Sequence, residues 1–312
     1  MARRGKKGAA ILLGAAMALA GLAGATGAKE GKDAGRPAIT GVSNIAVYTS
    51  NEAASRHFYV NMLGLTRGDD PENPSGARYY VSAIQFVEVL PLPAKAGTNR
   101  LDHLGYETAD AERMRRYLEK SGYIVPERVE HGPDGSRWFY TKDPEGNPVE
   151  FVQAPKDGWR VTLSGDAVSR HMIHVGMRVH NRDAEDRFYR GVLGFRPYWF
   201  GGMHTGEVDW VSQQVPDGTD WLEYMLQATD ESQRNLGVLN HFSLGVANMK
   251  KTVEKLTAEN RLSAQHNGPL MGRDGKWQAN LFDPDGTRVE LMEFQPVEQP
   301  CCSPFTASNP TH

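Results

Sequence analysis

Four side chains in the second half of this 312-residue chain have the chemistry to hold a divalent cation: His174, Glu223, His241 and Glu290. Each lies in a short strand-like run, where successive side chains point to opposite faces. Along 172–179, His174 shares a face with Gly176 and Arg178; along 241–246, His241 shares one with Ser243 and Gly245. Along 287–294, Arg288, Glu290 and Met292 point together while Val289 and Leu291 enter a core, and in 221–226 Glu223 alternates with Leu222 and Tyr224. A carboxylate among apolar neighbours is costly to bury unless it is paired or metal-bound. Two imidazoles with one or two carboxylates facing one cup suit a divalent first-row cation: Fe, Mn, Zn, Ni or Co. Arg178 and Arg288 share the ligand faces, as candidates either to grip a substrate carboxylate bidentately or to pair with Glu223 or Glu290. His171 is out of strand register and expected to be exposed. His204 and His266 fall in loop-like segments, as surface histidines or as acid–base groups. Trp210, Trp221 and Trp277 are expected in core packing, with pocket lining as the alternative.

The elements that must position these residues come from a tandem duplication. Asn44-Ile-Ala-Val-Tyr leads to Arg56-His57-Phe58-Tyr59 and Met62-Leu63-Gly64-Leu65. His174-Val-Gly-Met-Arg leads to Asp186-Arg187-Phe188-Tyr189 and Val192-Leu193-Gly194-Phe195, 130 positions further on. Asp143-Pro-Glu-Gly with Glu150 returns as Asp283-Pro-Asp-Gly with Glu290, now 140 positions apart. Each half divides again, with strand-like runs opening at 42–48, 103–107, 172–179 and 241–246. A helical pattern follows each: Ala54, Phe58 and Met62 lie four apart, as do Ala184, Phe188 and Val192. Met114 and Leu118 before Gly122 serve the second quarter, and Met249, Val253 and Leu256 the fourth. Short strands with Gly/Pro/Asp turns come next, as at Pro133-Asp134-Gly135 and Pro216-Asp217-Gly218, and the Asp-Pro stretches are turns that aim the last strands. The reading is an α+β fold of four βαβββ modules in two tandem domains, 38–155 and 168–296, with linkers at 29–38 and 156–168.

The apolar fraction of 39%, the charged fraction of 23% and a net charge of -3 describe a globular protein with no basic footprint for nucleic acid. The partner to expect is a small-molecule substrate in a pocket. Residues 1–28 read as a secretory signal peptide: Arg3, Arg4, Lys6 and Lys7, an apolar stretch from Ala9 to Leu22, then small residues. An uncleaved anchor is the alternative, but the stretch is short and glycine-rich for a membrane span. The protein is therefore expected in the periplasm or secreted. Cys301 and Cys302, the only cysteines, lie in a tail, 297–312, expected to be flexible. They would bridge two chains of a homodimer or, the preferred expectation, have no structural duty.

The phrases His174-Val-Gly-Met-Arg-Val, Phe188-Tyr189-Arg-Gly-Val-Leu193-Gly194-Phe, His241-Phe-Ser-Leu-Gly-Val and Asp283-Pro-Asp-Gly-Thr-Arg-Val-Glu290-Leu resemble the vicinal oxygen chelate (VOC) superfamily. That superfamily holds glyoxalase I, bleomycin- and fosfomycin-resistance proteins, extradiol dioxygenases and methylmalonyl-CoA epimerase. The resemblance spans about residues 40–296 and implies paired modules curving into a cup around a metal. Resemblance to glyoxalase I implies the ligands His174, Glu223, His241 and Glu290, and a lyase or isomerase that works through a metal-stabilised enediolate, with Glu223 or Glu290 moving the proton. An exported enzyme of this kind would use a substrate other than cytosolic glutathione. Resemblance to extradiol dioxygenases implies instead the face His174, His241, Glu290 with Fe(II) or Mn(II), and Glu223 as a bystander. Against that alternative, Phe282 stands where that family usually offers a tyrosine nearby. Resemblance to bleomycin-resistance proteins implies a third reading, metal-free binding of a small molecule. In the N-terminal half Glu88, His103 and Glu150 hold matching places, but Asn44 replaces the first histidine, which implies a degenerate metal site there.

Overall fold

The duplication is laid out in space as two eight-stranded sheets. The computed structural model describes residues 35–226 and 230–311; the expected signal peptide lies outside them. The first sheet takes β1 (Ile39–Thr49), β2 (Thr66–Gly68), β3 (Ala77–Tyr80), β4 (Phe86–Pro91), β5 (Leu101–Thr108), β6 (Glu130–His131), β7 (Arg137–Lys142) and β8 (Pro148–Gln153). The second takes β9 (Met172–Arg178), β10 (Arg196–Gly201), β11 (Trp210–Gln214), β12 (Trp221–Met225), β13 (His241–Val246), β14 (His266–Met271), β15 (Trp277–Phe282) and β16 (Arg288–Glu293). Strand order is β2-β3-β4-β1-β5-β8-β7-β6 in one and β10-β11-β12-β9-β13-β16-β15-β14 in the other, the same path twice. At the centre of each, two antiparallel strands (β1 with β5, β9 with β13) are flanked by parallel partners (β4 and β8, β12 and β16).

Each module carries one helix behind its first strand, and an Asn or Asp starts it. The side chains of Asn51, Asp110, Asn181 and Asn248 each accept from a backbone N–H three residues on, which satisfies a donor that the helix leaves free. The helices are α1 (Glu52–Arg56), α2 (Ala111–Lys120), α3 (Arg182–Asp186) and α5 (Met249–Ala258). A further helix, α4 (Gln233–Leu239), stands before β13 with no counterpart in the first half, which accounts for part of the growing offset. The four-residue spacing expected through Phe58 and Phe188 does not hold. After α1 and α3 the chain widens into π-helical turns, His57–Met62 and Arg187–Val192, with Leu63 N–H on Phe58 C=O at 3.0 Å and Leu193 N–H on Phe188 C=O at 2.9 Å. The wider turn buries two adjacent aromatics, Phe58 with Tyr59 and Phe188 with Tyr189, where an α-helix would bury one.

One apolar core spans both halves, with Tyr106 edge-on to Phe195 at 5.2 Å. Buried carboxylates stitch the halves together: Asp220 accepts from Val42 N–H at 3.0 Å, Asp285 from Ser50 N–H at 2.9 Å, and Asp283 from the Tyr59 hydroxyl at 3.0 Å. The Asp-Pro-Asp-Gly turn thus does more than aim β16.

Two expectations are corrected. The stretch 156–168 is packed, with Trp159 buried edge-on to Phe86 at 5.1 Å. The tail is packed too. Thr306 N–H donates to Tyr198 C=O at 3.0 Å, Phe200 N–H to Ser303 Oγ at 2.9 Å, and the Phe305 ring lies 5.0 Å from Tyr198. Backbone pairing alongside β10 and an aromatic anchor hold it down, and Cys301 and Cys302 are disulfide-bonded to each other. Among the described residues no helix is long and apolar enough to cross a membrane.

Candidate metal centre

The four central strands of the second sheet each contribute one polar side chain to the same cup: His174 from β9, Glu223 from β12, His241 from β13 and Glu290 from β16. Register explains the convergence. Gly176 lies opposite Glu223 on one side and His241 on the other, and Ser243 lies between His174 and Glu290. A Cβ at Gly176 would come within 2.0 Å of His241 Cε1, so the imidazole occupies the space that glycine leaves open.

The ring nitrogens His174 Nε2 and His241 Nε2 face each other at 3.1 Å, with Glu290 Oε2 at 3.2 Å from the first and Glu223 Oε2 at 3.5 Å from the second. One ligand atom from each of His174, Glu223 and His241 lies within 4.8 Å of the others, the one such group among the described residues. Ligands bound at about 2.1 Å to one cation stand roughly 3.0 to 3.4 Å apart, so the His174–His241 and His174–Glu290 separations fit a first-row divalent ion, Glu223 stands just beyond, and Glu290 lies outside the group that closes within 4.8 Å. His241 Nδ1 donates to Leu239 C=O at 2.9 Å, which leaves the Nε2 lone pair toward the cluster. His174 has no such partner on its buried Nδ1; its ring packs instead on Trp221, 4.6 Å between centroids. Burial, with Arg288 and His174 beside it, holds the His241 pKa well below its ordinary value, so the ring is a neutral ligand. Burial would push Glu290 up, but Arg288 and His174 outweigh it and keep the carboxyl ionised.

Both depressed values link to stability. An unfolded chain binds protons that these groups refuse when folded, so stability is full above the unfolded values and falls as pH drops below about 6.5 for His241, then through the carboxylate range for Glu290. Urea midpoints of the metal-free protein are expected to decline from about pH 8 to about pH 5.5, and His241→Gln should flatten that slope.

A pocket of about 310 Å³ opens over the cluster, lined by Glu223, Arg288 and Glu290 on the polar side and by Tyr198, Trp199, Trp210 and Trp221 on the other. Trp210 and Trp221 therefore line the pocket, while Trp277 is 37% exposed and lies outside its wall. Arg288 stands in that wall, 3.6 Å from Glu290 and bonded to Val238 C=O at 2.9 Å. Arg178 does not: it pairs with Glu231 at 3.0 Å, so its expected part in substrate binding finds no support in its placement. His171 is corrected as well. It is half-buried and bonded to Asp220 at 2.6 Å, because the strand shifts register after it. His204 and His266 are exposed, the latter bonded to Ser263 C=O at 2.7 Å. Sequence reasoning missed Lys276, fully buried with its ammonium 4.8 Å over Trp221 and 5.1 Å over Phe305. Burial lowers its pKa to about 8. No local signal marks it, since its aromatic neighbours come from β12 and the tail.

The same place in the first sheet is filled from within. Asn44 Nδ2 donates to Glu150 at 2.9 Å and meets His103 Nε2 at 3.1 Å, an amide standing where the second sheet has an imidazole. Opposite Glu88 in register stands Arg78, whereas Ser212 stands opposite Glu223. The buried Arg78 guanidinium lies 4.1 Å over Phe86 and 3.3 Å from Asp70, and also meets Glu72. Arg78 thus supplies a fixed positive charge beside the first cup, where His103 Nε2 lies 3.3 Å from both Glu88 and Glu150, and no set of three ligands that could hold a metal is found there among the described residues. Arg78→Met would leave Asp70 buried and unpaired, with an expected loss of about 3 to 5 kcal/mol in urea unfolding.

A model of the Glyoxalase/Bleomycin resistance protein/Dioxygenase superfamily matches residues 41–151 and 171–291. The probable chloroplastic lactoylglutathione lyase of Arabidopsis thaliana is 29% identical over 139 residues, 43% of this chain and 38% of that relative's own length. Among solved structures, the 2,3-dioxygenase LapB of Pseudomonas sp. KL28 has a TM-score of 0.62 at 15% identity, with 85% of this chain and 98% of that one covered. A catechol 2,3-dioxygenase has a TM-score of 0.63 at 15% identity, covering 88% and 96%. At such identities these structures are alike in fold.

Proposed function

The chain belongs to the Glyoxalase/Bleomycin resistance protein/Dioxygenase superfamily, and on that footing we propose that it is a metal-dependent lyase or isomerase of the lactoylglutathione-lyase kind. Its substrate is a small molecule with two adjacent oxygens. The observation that carries this reading is the closure of Glu223 onto His174 and His241 within 4.8 Å. A three-ligand dioxygenase face would leave Glu223 aside, whereas a proton-moving enzyme needs a carboxylate beside the substrate carbon. The bound cation would polarise the two oxygens and ease loss of a proton from the carbon between the metal and the base. Glu223, half-buried at the pocket wall, would help His174, His241 and Glu290 hold the cation and would take and return that proton; Glu290 is kept ionised by Arg288. The aromatic wall excludes water and seats an apolar substrate body. Residues 1–28 support an exported protein, so its substrate is one met outside the cytosol.

Elemental analysis of the purified protein, then turnover of α-oxoaldehyde–thiol adducts and of catechols under an oxygen electrode, tests the proposal. About one divalent ion per chain and product formed without oxygen uptake are expected. Oxygen consumption with catechols would transfer the chain to the dioxygenases. Metal-free protein that still binds a small molecule would favour the binding-protein reading.

A further inference from the structure

The largest change between the two halves, apart from the metal ligands, lies in the wall beside each cup. Positions that match through the duplication and the strand pairing read Tyr48, Asp102, Tyr140 and Pro148 in the first half, and Arg178, Asn240, Asn280 and Arg288 in the second. The two arginines of the second half thus stand where the first has a tyrosine and a proline, and the two asparagines where it has an aspartate and a tyrosine. In the first half these four residues line a cavity of about 1040 Å³, closed on its other side by Leu90, Pro91 and 122–126. Behind this wall Asn44 fills the place of the first histidine and bonds to Glu150 and His103, so the cavity is not a copy of the metal pocket.

The polar groups in the wall are fixed. Asp102 accepts from the Tyr48 hydroxyl and contacts His103 Nδ1 at 2.7 Å, and its carboxylate is 26% exposed. Hydrogen bonds from His103 and Tyr48 outweigh burial and keep it ionised. The Tyr140 ring is held edge-on to His103 at 5.1 Å, its hydroxyl on Glu72 at 3.0 Å. Asp143, also in the wall, is occupied by Asn147, and Lys142 stands exposed at the edge. The remaining surface is largely apolar, interrupted by Asn73, Ser75 and Thr141, and runs out to Ile124, which is 91% exposed. A partly exposed carboxylate in a wall that also carries two tyrosines and apolar surface is an environment that recognises an organic cation.

We propose that this cavity is a second, metal-independent binding site, for a protonated or quaternary amine carried on a compact apolar body. The ammonium sits at Asp102 between Tyr48 and Tyr140, and the apolar body lies along Leu90, Pro91 and Val125.

Calorimetric titration of the whole, metal-loaded protein with benzyltrimethylammonium, which has no lone pair for a metal, tests the assignment. Its neutral near-isostere benzyl dimethyl carbinol and the anion phenylacetate serve as comparators. The cation is expected to bind at least about tenfold more tightly than either. Asp102→Asn should lose about tenfold, and Tyr48→Phe, which keeps the ring, should lose less. Binding should persist after the metal is chelated, and thermal unfolding of both variants, compared with the parent, shows whether the fold is kept. Equal affinity for the neutral alcohol, preference for the anion, no binding of the cation, or unchanged affinity in a folded Asp102→Asn would each overturn the proposal.

Discussion

Glu223→Gln is expected to weaken metal binding by at least about 100-fold, equal to about 2.7 kcal/mol, and to remove turnover with it. Loss of a group that merely orients a ligand already costs about 10- to 100-fold in affinity, and Glu223 stands within direct reach of the cation position. The amide keeps the size of the side chain and removes its charge, so packing against Ser212 and Gly176 is preserved. The measurement is competition with a chelator of known affinity, followed by assay at saturating metal. A variant that keeps both parental affinity and turnover would make Glu223 a bystander and return the site to the three-ligand face of His174, His241 and Glu290. Retained affinity with lost turnover would instead assign Glu223 to proton transfer alone.

Gly176→Ala should also damage the site, although it leaves His174, Glu223, His241 and Glu290 unchanged. The added methyl would stand 2.0 Å from His241 Cε1, so the ring must swing away from His174. Overpacking of this kind costs about 1 to 3 kcal/mol of stability. The matched control is Gly105→Ala in the first sheet, whose methyl would meet Asn44 Oδ1 at 1.9 Å. Both variants should lower the urea midpoint, but only Gly176→Ala should weaken metal binding, by about tenfold or more. Equal metal affinity in the two would show that the cup tolerates a displaced His241.

The convergence of His174, Glu223 and His241 was legible because strand alternation and the duplication act together. Period two fixes which face a residue takes, and a second copy of the module shows which positions return. What the sequence hides is whatever depends on the neighbour across the sheet. Glu223 lies within reach of His241 because Gly176 separates them in register, a pairing that no local pattern states. Arg178 shares its strand face with His174, yet the chain beyond β12 brings Glu231 to it and draws it aside. Arg78 and Lys276 are charged residues that sequence reasoning would place in water; aromatic rings from distant segments bury both. The π-helical turns escaped for a different cause. A helix that widens after one turn keeps the apolar composition of a regular one and changes only which residues are neighbours.

The stretch 303–309 forms part of the pocket's surroundings. Phe305 stands in its wall and against Lys276, and Asn309 receives the Tyr198 hydroxyl. An insertion within 303–309 would therefore disturb the cup itself, and deletion of that stretch would uncover one side of it. Handles for purification belong elsewhere, and natural variants that differ in substrate preference are to be sought in this final stretch as much as around the histidines.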